Sequence, residues 1–310
     1  MSVGPVSAKT KVVIAAAAAV VIVALCAAVT FTVGWDALYS AVFGEKEPAG
    51  SPVGADGTLS VHFIDVGQGD CELITCGGHA VLVDGGEKEA ADKVISYLKR
   101  LGVASLDCIV ATHPHSDHIG ALPAVMNEFR AQCVIMPQLS EINIPATPSY
   151  DRLMTALERL DAPVYAAVPG DKYSFGDISF EIYNPTYQSE ELNDMSVVFR
   201  LVYGSNSFLL TGDIHTDAEL QLVDSAYELR SDVLKVPHHG SSTSSAKEFI
   251  SAVAPQVAVI SCGMNNSFNH PNQGTLATLE KLGIPYYRTD YNGDVVITSD
   301  GCVLTVTTEK

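Results

Sequence analysis

Thr112-His113-Pro114-His115-Ser116-Asp117-His118-Ile119-Gly120 decides how this chain is read. The segment follows an apolar run, Asp107-Cys108-Ile109-Val110-Ala111, and precedes a helix-like stretch. Three imidazoles and a carboxylate so close together have no use in a hydrophobic core, where each needs its own partner. They suit borderline divalent metals, which take nitrogen and oxygen donors. His113 and His115 alternate, so an extended loop can turn both toward one ion. Asp117 and His118 lie a step further on and can face a second.

Outward from this loop, short apolar runs alternate with turns. LSVHFIDVG, CELITCG, HAVLVDGG, DCIVATH and CVIMP read as strands in the first half, with Gly77-Gly78 as a hairpin turn. ISFEIYNP, SVVFRLVYG, SFLLTGDI, DVLKVPHH, VAVISCG and GDVVITSDG read as strands in the second. Helical periodicity is expected over 90–101, 153–160, 217–223, 246–253 and 273–282. Strands alternating with helices predict a layered α/β domain over 58–310, with no internal boundary and no sequence repeat.

The first 57 residues differ. Val12 to Val33 carries no charge, and as a helix it spans roughly 33 Å, a bilayer core. Lys9 and Lys11 precede it and Asp36 follows, which orients the N-terminus inward. The expectation is a cytoplasmic tail (1–11), a transmembrane anchor or uncleaved signal (12–34), a Gly/Pro-containing linker (35–57) and an extracellular domain. A secreted protein is the alternative.

The chain carries 36 Asp and Glu against 18 Lys and Arg. That balance argues against a broad electrostatic footprint for nucleic acid, although divalent cations can reverse the local sign. Seven cysteines include no CxxC pair, so a cysteine zinc site is not expected. Buried thiols with at most one bridge are.

The histidine segment resembles the metallo-β-lactamase superfamily, and within it the extracellular hydrolase domain of the ComEC-type DNA-uptake competence proteins. The resemblance runs through FIDVGQGD (63–70), VLVDGG (81–86), THPHSDHIGAL (112–122), NDMSVVFRLVYG (193–204), FLLTGDI (208–214), DVLKVPHHGSSTSS (232–245) and NHPNQGTLATLEKLG (269–283). It implies a four-layer αββα sandwich with the metal site at one edge of the sheets, where the strands before His113, Asp213 and His238 end. It also implies two divalent ions, zinc or manganese. The implied ligands are His113, His115, Asp117, His118, Asp213 and His239, with Asp84 supporting the ligand loop. Asp117, His238 and His270 are the implied catalytic residues. Which of His238 and His239 is the ligand stays open at this point.

Many members of this superfamily supply a histidine between the first cluster and the bridging aspartate, and none stands here between His118 and His215. Asn193 or Asp194 is expected to fill the gap, with Asp194 as the ligand, which shifts preference toward harder ions such as manganese. Gln68 and Asp70 are expected either to shape the site or to hold a turn. The implied activity is hydrolysis of a phosphodiester, with DNA as first candidate. Cell-wall or small phosphate esters, β-lactam hydrolysis and a non-catalytic binding module are the alternatives. No protein partner is deducible.

Overall fold

The computed structural model describes residues 57–185 and 189–310. The first half supplies β1 (Leu59–Phe63), β2 (Glu72–Cys76), β3 (His79–Val83), β4 (Ser105–Leu106), β5 (Cys108–Val110), β6 (Arg130–Ala131), β7 (Val134–Met136) and β8 (Val164–Ala166). The second supplies β9 (Lys172–Phe175), β10 (Ile178–Asn184), β11 (Val198–Tyr203), β12 (Asn206–Leu210), β13 (Val233–Lys235), β14 (Val257–Ile260), β15 (Tyr286–Arg288), β16 (Val295–Ser299) and β17 (Leu304–Thr308). Eight of these form one mixed sheet in the order β17-β16-β1-β2-β3-β5-β7-β8, and seven form another, β15-β14-β13-β12-β11-β10-β9. The short β4 and β6 pair with each other.

Strand periodicity explains the layering. In β3, Val81 and Val83 face the other sheet, while Ala80 and Leu82 face helices. A strand covered on both faces must be apolar throughout, and this one is after its first residue. Between the sheets, Val61, Phe63 and Val110 meet Phe180, Phe199 and Phe208, all at most 2% exposed. The outer face of the first sheet packs on the helices Ala91–Arg100, Leu122–Glu128 and Pro148–Arg159. The outer face of the second packs on Thr216–Val223, Lys247–Val253 and Gln273–Leu282. Three apolar layers thus separate helix, sheet, sheet and helix.

The β2–β3 hairpin turns at Gly77-Gly78, with φ of 56° and 92°, as the sequence suggests. The helix expected at 153–160 begins earlier, at Pro148, where Thr147 caps it by accepting from Tyr150 N. β8, β9, β15 and β17 were not expected. Each lies at or near a sheet edge, where half-exposed residues blur the apolar pattern. Cys71, Cys76, Cys108, Cys133 and Cys262 are buried free thiols, and Cys302 is free and exposed.

The tail (1–11), the anchor (12–34) and nearly all of the linker (35–57) fall outside the described residues. Among the described residues no helix is long and apolar enough to cross a membrane. The longest, Pro148–Arg159, has 12 residues, about 18 Å against a core of about 30 Å. The expected single-pass membrane protein with an extracellular C-terminal domain is corrected accordingly.

What positions the site is the direction of the strands. β3 and β5 run parallel, as do β12, β13 and β14, so each set releases its following loops at one end. The two ends meet where Val197 N, just before β11, donates to Thr112 O, just after β5, and within the second sheet His238 N ties the loop after β13 to Gly212 O. Phe199, whose ring lies 4.7 Å from that of Phe180, is central to the layer that holds the sheets together. Phe199→Ala should destabilise the fold by about 3–5 kcal/mol, read as a lower denaturant midpoint with unchanged slope.

Candidate metal centre

Asp213 sits at the turn after β12, 2% exposed. Its amide donates to Ser196 Oγ. Gly212 before it takes φ of 52°, and a Cβ there would come within 2.8 Å of Ser196. The turn therefore requires glycine and fixes the carboxylate. Around one oxygen, Oδ2, gather His118 Nε2 at 3.2 Å, His239 Nε2 at 3.3 Å, His238 Nε2 at 3.8 Å and His113 Nε2 at 4.0 Å. Oδ1 is buried with no hydrogen-bond partner, and so are His118 Nε2 and His239 Nε2.

Each imidazole is oriented from behind. Asp84, fully buried, accepts from Thr112 N at 2.8 Å and Thr112 Oγ at 2.6 Å, and faces His118 Nδ1 at 2.8 Å. That contact places the proton of His118 on Nδ1 and its lone pair on Nε2. The Thr112 hydroxyl proton is committed to Asp84, so Thr112 Oγ accepts from His113 Nδ1 at 3.1 Å and leaves His113 Nε2 the lone pair. His239 Nδ1 donates to Ser261 O at 2.9 Å, with the same result. His238 and His239 hold φ of 51° and 53°, the left-handed region, in consecutive residues. Strain of this kind persists only where the surroundings impose it.

Four donors, from Asp117, His118, Asp213 and His239, lie within 4.8 Å of one another. His113 Nε2 and His115 Nδ1 approach to 3.1 Å on another side of Asp213. Ligands 2.0–2.1 Å from a tetrahedral ion stand about 3.3 Å apart, which the His113–His115 pair and the 3.2–3.3 Å contacts of Asp213 with His118 and His239 match. Asp213 is common to the two sets. The protein has a candidate di-metal site of His and Asp residues.

The electrostatics agree with the donor chemistry. Burial works against charge on His118 and His239, but Asp213 with Asp117 and Asp84 around the first, and Asp213 with Asp70 around the second, raise both well above the ordinary histidine value. Burial likewise opposes ionisation of Asp213, yet His118 and His239 hold it well below the usual carboxylate range. Burial and His118 push His113 well down, and burial lowers His238 to about 4. Without metal, the imidazolium protons answer Asp213. A divalent cation can take over that role and release them.

Asp70, Asp84 and His118 also converge. Positive charge is already present there, because the Lys235 ammonium lies 2.7 Å from Asp70 and His118 Nδ1–H faces Asp84. This group supports the centre rather than forming another. Burial beside Asp70 lifts Glu72 well above the carboxylate range. From sequence Asp70 fits a site or a turn equally well, and Lys235 reads as one more polar residue in a strand.

The structure brings His113, His115, Asp117, His118, Asp213 and His239 together, with Asp84 behind them. His238 lies at the rim, and His270 has its ring 5.4 Å from that of His238. Asp194, expected as a ligand, contacts the His215 loop. Its Oδ1 accepts from His215 N at 2.8 Å and lies 3.4 Å from His215 Nδ1. Asn193 is the residue aimed inward, with Nδ2 3.0 Å from His215 and 3.4 Å from His238, and a buried Oδ1 without a hydrogen-bond partner. His215 lies outside the motifs. Its only signal was its place two residues after Asp213.

Residues 64–264 match the Metallo-beta-lactamase superfamily. Over 254 residues the chain is 30% identical to ComE operon protein 3 of Bacillus subtilis (strain 168), covering 76% of this chain and 32% of that one. Over 262 residues it is 30% identical to Competence protein ComA of Neisseria gonorrhoeae, covering 84% and 34%. The chain thus spans only a part of these relatives' length. Among solved structures, the metallo-beta-lactamase fold protein YhfI from Bacillus subtilis superposes with a TM-score of 0.52 at 13% identity, over 79% of this chain and 100% of that one. Igni18, a metallo hydrolase from Ignicoccus hospitalis, gives 0.50 at 15%, over 77% and 98%. At such identities the likeness concerns the fold alone.

Asp84 itself stands at φ of 54°, a conformation Asn also tolerates. Asp84→Asn should therefore leave the turn intact but weaken its hold on His118. Metal affinity should fall about 10- to 100-fold, measured by calorimetric titration.

Proposed function

Because the chain belongs to the metallo-beta-lactamase superfamily, we propose that it is a phosphodiesterase working with two divalent cations, and that DNA is its substrate. The observation that carries this reading is the shared carboxylate. Asp213 Oδ2 lies within 3.2–4.0 Å of nitrogens from both histidine sets, the arrangement a two-ion clamp on one phosphoryl group needs. The intact Asp117-His118 pair and the similarity to competence proteins support the same reaction and substrate.

In this reading His113 and His115 would hold one ion, Asp117, His118 and His239 would hold the other, and Asp213 would serve both. Asn193, with its buried Oδ1 unpartnered, would stand in for the absent histidine, and Asp194 would hold the His215 loop. Bound divalent cations supply Lewis-acid polarisation of phosphoryl oxygens and make water a stronger nucleophile. The chain's own contribution is preorganisation. Asp84, Thr112 and Ser261 hold His118, His113 and His239 with their lone pairs inward before substrate arrives. His238 and His270 line the open side and are neutral at pH 7, since burial lowers both. Their ring N–H groups can donate hydrogen bonds to a phosphoryl or leaving oxygen.

A second reading, hydrolysis of small or cell-wall phosphate esters, is favoured by the excess of acidic residues, which weakens non-specific affinity for a polyanion.

With added manganese the full chain should hydrolyse bis-p-nitrophenyl phosphate and DNA, and chelator should silence it. His118→Ala should lower turnover more than about a hundredfold, because several kcal/mol of transition-state stabilisation go with one ion. Cleavage of DNA should fall steeply with added salt. Activity on the small diester with none on DNA would move the substrate to the second reading. Turnover of a chromogenic cephalosporin alone would refute both.

A further inference from the structure

The segment after β14 reads Gly263-Met264-Asn265-Asn266-Ser267-Phe268-Asn269-His270. Its composition is that of a turn, yet it carries two large apolar side chains. Met264 is 61% exposed and Phe268 62%. The loop is held firmly all the same. The Asn266 side chain donates to Gly263 O at 2.9 Å and His270 O at 2.5 Å, and accepts from Phe268 N at 3.1 Å and His270 N at 3.0 Å. Those four bonds use both donors and both lone pairs of its amide. At the base of the loop, Gly263 N donates to Gln68 Oε1 at 3.2 Å. A Cβ on Gly263 would come within 2.6 Å of Gln68 N, so the loop lies directly against the residue 67–70 turn.

This loop presents an aromatic face beside the metal centre. The Phe268 ring stacks on His270, with centroids 5.7 Å apart and planes at 27°. The His270 ring lies 6.0 Å from that of His239, whose Nε2 is 3.3 Å from Asp213. A fixed, exposed phenyl ring therefore stands one side chain away from the imidazoles that face the candidate ions. Burial would have been the cheaper arrangement for an aromatic ring, and its exposure here calls for an apolar, planar occupant. A nucleobase is planar, and it is joined to a phosphodiester at about this reach. With 36 acidic against 18 basic residues, the chain has little cationic surface for holding a polyanion by its phosphates alone. Base stacking supplies affinity without that charge.

We propose that Phe268, set by Asn266 and backed by His270, is a stacking platform for the base next to the scissile phosphate, so that the substrate is single-stranded nucleic acid. The proposal rests on the phosphodiesterase reading. A duplex keeps its bases stacked on one another and would have to extrude one to use the platform.

The test compares the manganese-loaded full chain with Phe268→Ala and Phe268→Trp on two labelled oligomers, an oligothymidylate and a fully abasic oligomer of equal length. Phe268→Ala should lower kcat/KM on oligothymidylate about 10- to 100-fold, mainly through KM. It should weaken binding of that oligomer in parallel by fluorescence anisotropy. Phe268→Trp should restore both, and cleavage of the abasic oligomer should not change. Equal losses on the two oligomers, or no loss on either, overturn the platform. A wild-type chain that prefers the abasic oligomer overturns it while leaving the phosphodiesterase reading intact. Cleavage of neither overturns that reading and the platform with it.

Discussion

A carboxylate buried between the ends of two sheets is the constraint on which the rest of this structure depends. Asp213 is 2% exposed, and an ionised group removed from water survives only when opposite charge meets it. Much of the surrounding chain can be understood as the answer. His118 and His239 approach it from two different loops, and their far nitrogens are tied to Asp84 and to the Ser261 carbonyl. The backbone around them yields to this need. Asp84, His238 and His239 take left-handed conformations that ordinary packing would not select.

Behind these residues lies a further tier. Asp70 accepts from the buried Lys235 and approaches His239 Nδ1 at 3.2 Å. Its amide donates to Asp117 O, and a Cβ on the preceding Gly69 would overlap that same carbonyl. The Gly-Gln-Gly-Asp turn thus touches the centre through Asp70 at Asp117, and the loop beside the centre through Gln68 at Gly263. Four ionisable side chains, of Lys235, Asp70, Glu72 and Asp84, are buried in this region. The arrangement makes sense as a scaffold that keeps a polar centre rigid within an otherwise apolar sandwich.

The fold and most of the donor group were legible in the sequence because their signals are local. Three histidines and an aspartate within six residues follow a strand, and the runs that become β3, β5 and β14 are almost wholly apolar. Local pattern fails where a role depends on a distant partner. Lys235 gains its role from Asp70, and His215 from Asn193 and Asp194. The missing histidine points to the Asn193-Asp194 dipeptide, but sequence has no means of telling which of two adjacent side chains turns inward. Asn193 does, because its neighbour Asp194 binds the backbone of the His215 loop. The edge strands β9 and β17 were missed for a related reason, since exposure on one side leaves them too few apolar residues to stand out.

The donors are drawn from widely separated stretches of chain, around residues 113–118, 213 and 239, and the supports extend from Asp70 to Ser261. No short segment of the polypeptide can therefore assemble the group alone. Ions captured by the completed site stabilise the native ensemble by mass action, whereas partly folded chains offer at most the His113–His118 cluster. Metal occupancy would then act as a seal on successful folding, favouring molecules in which both sheets have closed.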